Sequence, residues 1–335
     1  MPTLSDATLK LLREGKNLLA FSAGVDSSAL FFLLREARIP FDIAIVDYGV
    51  RPQSKEEVSY AQALAIEYKL TCHLHHAPKL ENNFEAKARE IRYEYFDSLI
   101  AEVGYTNLLT AHHLGDRFEW MLMQFCKGAG CAELSSMKEI ELRQNFTLVR
   151  PLLHLEKSEL QNYLDTHDKK YFIDESNSDE SIKRNYFRHN HAEPLLSRYA
   201  KGIKKSFEYI DLDAQELIED VEMHIIKDFC YFYATHSKRS DIYAIDKYFK
   251  NLGLMISAKE RKLLNKETTV ILARKYIVTW HKELVFIAPF TQSAQTMPDN
   301  FKEKMRLQRI EPKLRAYFFT NLDVLESLED SRALQ

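Results

Sequence analysis

Across the first 150 residues, short apolar runs alternate regularly with amphipathic stretches of helix length. This alternation constrains the fold more than any other feature. Residues 17–21, 41–46, 70–75, 107–111 and 146–149 read as buried strands. Helical patterns cover 26–36, 54–68 and 84–102, and a fourth runs through Trp120 to Phe125. Ser54 followed by Glu57 has the form of a capping box and sets one helix start. Strands alternating with helices build βαβ units. The expectation is an α/β class, with a Rossmann-like parallel sheet flanked by helices. In such sheets ligands collect at the carboxyl ends of the strands.

Near residue 200 the texture changes. Residues 201–232 read as helix-rich and charged, and short helices follow at 242–249 and 258–264. Three apolar strands, at 270–273, 276–280 and 284–287, then suggest a small β-containing module. The expected division is a catalytic domain over 1–200 and a smaller helical and α+β domain over 201–335. The last residues, 326–335, read as a frayed tail.

Composition narrows the function classes. With 45% hydrophobic and 28% charged residues the chain reads as globular, and no apolar run approaches the roughly 20 residues of a membrane span. The start has no apolar signal region, so a cytoplasmic protein without a membrane partner is expected. The four cysteines, Cys72, Cys126, Cys131 and Cys230, form no C-x-x-C pair and read as reduced thiols. No metal-ligand set is assigned. The net charge of −3 argues mildly against a polyanionic partner unless the basic residues cluster. They do cluster. Residues 183–205 hold seven Lys/Arg (Lys183, Arg184, Arg188, Arg198, Lys201, Lys204, Lys205) against one acid, Glu193. Smaller clusters lie at Lys259, Arg261, Lys262 and Lys266, and from Lys302 to Arg315.

The first predicted strand runs straight into Ser22, Ala23, Gly24, Val25, Asp26, Ser27 and Ser28, where a helix begins. Small residues, hydroxyls and a helix N-terminus make a phosphate cradle. The loop has no Walker lysine, and a serine-rich helix cap accounts for the same residues. Asp47, Tyr48 and Gly49 follow the second strand. Arg89 and Arg92 share a helix face. After the fourth strand come Ala111, His112, His113, Leu114, Gly115, Asp116 and, one turn on, Glu119. The i, i+3 spacing turns the Asp116 and Glu119 carboxylates the same way, which suits a cationic ligand or a helix cap equally. Lys127 to Gly130 reads as a glycine-rich helix stop. Arg150 to Leu153, Asp174 to Asn177, and Arg184, Asn185 and Arg188 complete the set.

Taken in order, these blocks resemble the tRNA(Ile)-lysidine synthetases, a branch of the N-type ATP pyrophosphatases. The S-x-G-x-D-S loop is similar to the superfamily's S-G-G-x-D-S, with Ala23 for glycine. Val46 to Arg51 is similar to V-D-H-G-L-R, with Tyr48 for histidine. Residues 85–93 resemble E-x-x-A-R-x-x-R-Y, and 111–120 resemble A-H-H-x-D-D-Q-x-E-T, with Gly115 for the first aspartate and Trp120 for threonine. The order D-x-S-N then R-N-x-x-R singles out this branch. The likeness runs from Ser22 to Arg188.

The resemblance implies an enzyme using ATP and Mg²⁺ to join free L-lysine to the wobble cytidine of the CAU-anticodon isoleucine tRNA. It implies Ser22, Ala23, Gly24, Val25, Asp26, Ser27, Ser28, Asp47 and His112 as the ATP site. Arg89, Arg92, Asp116, Glu119, Arg184, Asn185 and Arg188 would face lysine, cytidine or tRNA, with Asp26, Asp116, Glu119 and Arg184 in the catalytic centre. Ala23 is a mild departure only where that position avoids positive φ. A homodimer stays compatible with the sequence. Two rivals remain open: a tRNA thiolase on the same scaffold, which needs sulfur-carrying cysteines, and a non-catalytic ATP-sensing module.

Overall fold

The computed structural model describes residues 2–50, 53–78, 80, 84–143, 145–173, 182–291 and 296–330. Arg51 and the block Asp174 to Asn177 lie outside the described residues. Contacts divide the chain into two units, Met1–Asp211 and Leu212–Gln335. The change in texture near residue 200 and this division both fall inside one long helix, Glu193–Leu217.

The first unit opens with α1 (Asp6–Glu14), capped by the Ser5 side chain. Then β1 (Asn17–Ala20), α2 (Val25–Glu36), β2 (Asp42–Asp47), α3 (Gln53–Tyr68), β3 (Cys72–His76), α4 (Phe84–Val103) and β4 (Asn107–Leu109) alternate as the sequence pattern predicts. The helix α5 (Leu114–Phe125), a short α6 (Cys131–Leu134), β5 (Ile140–Leu142), β6 (Thr147–Val149) and α7 (Lys157–Thr166) follow. The unit closes with α8 (Lys183–Phe187), a π-helical turn Arg188–Ala192, and α9 (Glu193–Leu217).

The sheet order is β3-β2-β1-β4-β6-β5. All neighbours pair in parallel except β5, which runs antiparallel to β6 at the edge. From β1 the chain moves outward through β2 and β3, then returns through α4 to place β4 on the other side of β1. The order therefore reverses between β1 and β4, and a crevice opens at their carboxyl ends. The loop at Ser22 leaves β1 there, and His112 and His113 leave β4 there.

Helix α2 is buried from Ser27 through Leu34. A helix apolar on every side belongs inside the molecule. Phe31 packs edge-on against Phe32, Phe41 and Tyr68, and each such ring is worth about 1.5–3 kcal/mol of burial. Helix α7 packs on α2, which sets the first residue of α7, Lys157, beside the first turn of α2.

At the opposite end of the sheet, two buried asparagines tie β1 and β4. Asn107 Nδ2 donates to Asn17 Oδ1 at 2.9 Å, and Asn17 Nδ2 donates to the carbonyls of Leu12 and Pro40, both at 2.8 Å.

The second unit holds a five-stranded antiparallel sheet, ordered β7-β8-β11-β10-β9. Its strands are β7 (His224–Ile226), β8 (Phe229–Tyr233), β9 (Thr269–Leu272), β10 (Tyr276–His281) and β11 (Leu284–Pro289). One face packs on α10 (Lys238–Asn251) and α11 (Ala258–Lys266), the other on α12 (Asp299–Leu307), α13 (Pro312–Thr320) and α14 (Leu322–Asp330). The reading of 201–232 as helical thus stops short. Phe229 to Phe232 are buried in β8, where two-sided packing hides the alternation that marks a half-exposed strand. Among the described residues no helix is long and apolar enough to cross a membrane.

Replacing Asn17 with alanine removes the partner of the buried Asn107 amide and of the Leu12 and Pro40 carbonyls. At about 1–3 kcal/mol for each unsatisfied group, partly relieved by water, Asn17→Ala is expected to cost about 3 kcal/mol in urea denaturation. A loss below about 0.5 kcal/mol would mean that the asparagine pair does not tie β1 to β4.

Candidate active site

The Ser22 loop is braced from within. Ser22 N donates to Ser27 Oγ at 3.2 Å, the two hydroxyls lie 3.1 Å apart, and Ser27 Oγ donates to the Gly24 carbonyl. Phe172 N donates to the Ala23 carbonyl at 2.9 Å, so the segment after α7 straps the loop down. Gly24 begins α2 without a side-chain cap, which leaves the helix N-terminus to an external anion. Ser28 Oγ and Asp26 Oδ1 are buried without a hydrogen-bond partner. Buried polar atoms are normally satisfied, so both mark this turn as built for a ligand.

Ala23 does adopt the left-handed conformation, with φ of 60°, and is fully buried. The condition under which alanine would be a harmless replacement is therefore not met. The left-handed region costs a non-glycine residue about 1–2 kcal/mol, held here by the brace and the strap.

Facing this loop, α5 begins with a capping box of its own. His113 Nδ1 accepts from Gly115 N at 2.9 Å, and Asp116 Oδ2 accepts from His113 N at 3.0 Å. A Cβ at Gly115 would lie 2.6 Å from His113 Cε1. The missing side chain at 115 is thus the space the His113 ring fills. The Nε2 of that ring lies 3.8 Å from Asp26 and 3.6 Å from Asp116, between the two carboxylates.

Glu119 is 1% exposed and Asp116 9%, and both are paired. Arg184 Nε donates to Glu119 Oε1 at 2.5 Å and its Nη2 to Asp116 Oδ1 at 3.0 Å. Arg188 Nε donates to Glu119 Oε2 at 3.0 Å, with Nη2 3.5 Å from Asp116. Burial alone would raise Asp116. The facing His113, His112 and Arg184, with the His113 backbone N–H, outweigh it and hold Asp116 well below the usual carboxylate range. Asp26 goes the other way, because burial exceeds the help it gets from His113. Burial also pushes His112 down to about 4, aided by Arg150, Arg184 and Arg89 and opposed by Asp116. Its imidazole is neutral at pH 7, with Nδ1 2.9 Å from Thr110 Oγ1.

These groups surround one cavity of about 280 Å³, lined by Asp26, His112, His113, Asp116, Lys157, Arg184, Asn185 and Arg188. Two of them, Lys157 and His113, were not expected from the sequence. Lys157 stands at a helix start just past the Arg150–Leu153 block but outside every quoted motif, and only the α2–α7 packing shows where it goes. His113 sat beside an expected residue, and its place depends on Gly115. Of the expected residues, Asp26, His112, Asp116, Arg184, Asn185 and Arg188 line the cavity, whereas the rest of the Ser22 loop, Glu119, Asp47, Arg89 and Arg92 do not. Asp47 accepts from Gly49 N at 2.8 Å and lies 3.3 Å from His76, shaping the turn after β2. Arg89 lies over the Tyr93 ring, and Arg92 donates to Tyr48, whose hydroxyl in turn donates to the Ala88 carbonyl of α4. The basic run at 183–205 is also partly spent internally, since Arg184, Arg188, Lys204 and Lys205 are ion-paired.

Comparison with known proteins supplies the family. A PP-loop domain model matches residues 4–195. The tRNA(Ile)-lysidine synthase of Campylobacter jejuni is 40% identical over 97% of this chain and 99% of its own length. That of Helicobacter pylori is 41% identical over 93% and 91%, and that of Wolinella succinogenes 41% over 92% and 94%. The chain belongs to the tRNA(Ile)-lysidine synthase family. Membership brings ATP use by the PP-loop domain. The fold is shared more widely. The U34-tRNA thiolase NcsA of Methanococcus maripaludis superposes with a TM-score of 0.52 at 20% identity, covering 65% of this chain and 77% of its own. In this synthase-family chain the described cysteines are all free thiols.

The neutral His112 makes stability depend on pH. An unfolded imidazole takes a proton near 6.5 and the folded one only near 4, so between those values the unfolded chain binds more protons. This contribution is complete above pH 6.5 and is lost as pH falls towards 4, by up to about 3 kcal/mol. The stability difference between wild type and His112→Gln should shrink over that window. A difference constant from pH 7 to pH 4 would contradict it.

Proposed function

We propose that this protein ligates free L-lysine to C2 of the wobble cytidine in the CAU-anticodon isoleucine tRNA, through an adenylated cytidine. The observation that carries this reading is the cavity described above. It sets the first turn of the uncapped helix α2, the Asp26 and Asp116 carboxylates and three cations (Lys157, Arg184 and Arg188) around one space at the switch point of the sheet.

In the first step the cytidine O2 attacks the α-phosphorus of ATP, the α–β bridging bond breaks, and pyrophosphate leaves. The backbone N–H groups at the start of α2, with Ser28 and Lys157, receive the departing phosphates. In the second step the ε-amine of lysine attacks C2, and the C2–O bond breaks. AMP departs with the oxygen that belonged to cytidine. The amine has an ordinary pKa near ~10.4 and must shed a proton to react. Asp116, held low, is a poor proton acceptor and acts as a fixed negative charge. Glu119, one turn along α5, is the second carboxylate assigned to the lysine amine.

Magnesium fits this site. Asp26 Oδ1 is buried and without a hydrogen-bond partner beside the anion-binding turn, and Mg²⁺ is usually held by one or two carboxylates together with substrate phosphates. When bound it would neutralise phosphate charge. The exposed Lys183 of α8 and Arg198 and Lys201 of α9 are the members of the basic run left for tRNA phosphates.

Two measurements test this. With ¹⁸O at the cytidine O2, the AMP released should carry the label; label remaining on the tRNA or appearing in pyrophosphate would overturn the adenylated cytidine. Lys157→Ala should raise the KM for ATP at least tenfold and leave the KM for lysine within about twofold. An unchanged ATP KM would remove Lys157 from the phosphate site.

A further inference from the structure

In this structure the carboxylate pair assigned to lysine is already full. All four oxygens are engaged: Glu119 Oε1 by Arg184, Glu119 Oε2 by Arg188, Asp116 Oδ1 by both arginines, and Asp116 Oδ2 by the His113 backbone. Two carboxylates facing two guanidiniums sum to zero charge. A third cation brought into that buried quartet would find its charge already compensated and every oxygen already engaged by a donor, and desolvating it would gain little. The pair is open to lysine only if a guanidinium leaves.

We infer that Arg184 and Arg188 are stand-ins for the substrate cation: lysine binds by displacing a guanidinium from Asp116 and Glu119, and the released arginine turns to the phosphates of ATP. The inference rests on the lysine assignment above and adds how the two substrates communicate. Arginine suits both positions, because its planar fork pairs with carboxylate and with phosphate in the same bidentate way. The cavity supplies the second position, since Arg184 and Arg188 line it together with Asp26 and Lys157 at the phosphate end. The backbone carrying them is also irregular. Arg188 begins a π-helical turn, Arg188–Ala192, and α9 breaks helical geometry at Tyr199, with φ of −130° and ψ of 18°. π-turns inside α-helices occur often at functional sites.

The exchange has a thermodynamic signature. Each ligand frees the other's site: phosphate draws an arginine away from the carboxylates, and lysine drives an arginine towards phosphate. Lysine and nucleotide must then bind with positive coupling, equal in both directions. It also gives an unusual sign. Removing a competing arginine should tighten lysine binding to the nucleotide-free protein, whereas an arginine that merely holds the carboxylates in place would, if removed, weaken it.

The test is equilibrium binding of radiolabelled lysine to the full-length protein, with and without saturating ATP analogue methylene-bridged between the α and β phosphates. For wild type the lysine Kd should fall at least fivefold when the analogue is present. For Arg188→Gln the nucleotide-free Kd should be at least threefold lower than for wild type, and the analogue should change it less than twofold. Arg188→Lys, which keeps the charge but not the fork, should shift the same way by less. Lysine binding without coupling in wild type, or weaker binding by a folded Arg188→Gln, would overturn the exchange and leave the lysine assignment standing. If Arg188→Gln fails to fold, the wild-type coupling decides. Analogue binding with no lysine bound under any condition would overturn the lysine assignment and the exchange with it.

Discussion

Four buried or half-buried charges, Asp116, Glu119, Arg184 and Arg188, hold the site together, and the surrounding structure is arranged around them. Leaving either carboxylate unpaired at this depth would cost several kcal/mol. The quartet therefore fixes α5 against α8 and the π-turn that follows, elements far apart in sequence. Arg117 repeats the device on the other side of α5, pairing with Asp211 at 2.5 Å beneath the Phe207 ring and tying α5 to α9. Helix α5 is thus clamped by ion pairs at both faces, and its N-terminal carboxylate is aimed into the crevice.

The sheet decides where that crevice lies. A reversal of strand order between β1 and β4 leaves two adjacent strand ends whose chains diverge, and no neighbouring connection covers the gap. The PP-loop and the start of α5 are the two chain segments leaving those ends. Charge is divided across the cavity. The PP-loop side offers unpaired N–H groups, a hydroxyl and Lys157, suited to phosphate. The α5 side offers two buried carboxylates, suited to a cation. His113 lies between them, in reach of Asp26 and Asp116, in the space that Gly115 leaves open. A ligation that brings a triphosphate and an amine together calls for such a division.

Much of this was legible in the sequence. The strand and helix alternation located β1 to β4 and α2 to α5 because a parallel sheet buried on both faces leaves continuous apolar runs between amphipathic helices. Asp26, Asp116, Arg184, Asn185 and Arg188 were all named before they were seen to share a cavity. What the sequence hid was pairwise. Nothing in the spacing of Asp116 and Glu119 reveals that Arg184 and Arg188 occupy them, because those hydrogen bonds span 65 to 69 residues and depend on the fold. Lys157 was invisible for the same reason. Ala23 was a question only φ could answer. In the second unit, β8 reads as helix from its sequence because a strand buried on both sides lacks the alternation that identifies it. Asp47, Arg89 and Arg92 were expected at the site from resemblance, yet in this structure they shape a turn or lie along α4.

The most direct test of the account is acid-stable incorporation of radiolabelled lysine, with Mg·ATP and the purified protein, into a CAU-anticodon isoleucine tRNA transcript. A CAU-anticodon methionine transcript is the control. The account predicts label on the isoleucine transcript alone, with one AMP and one pyrophosphate released for each lysine joined. ATP binding by the folded protein with no lysine joined to either transcript would contradict the proposed ligation, leaving only the PP-loop fold and its use of ATP.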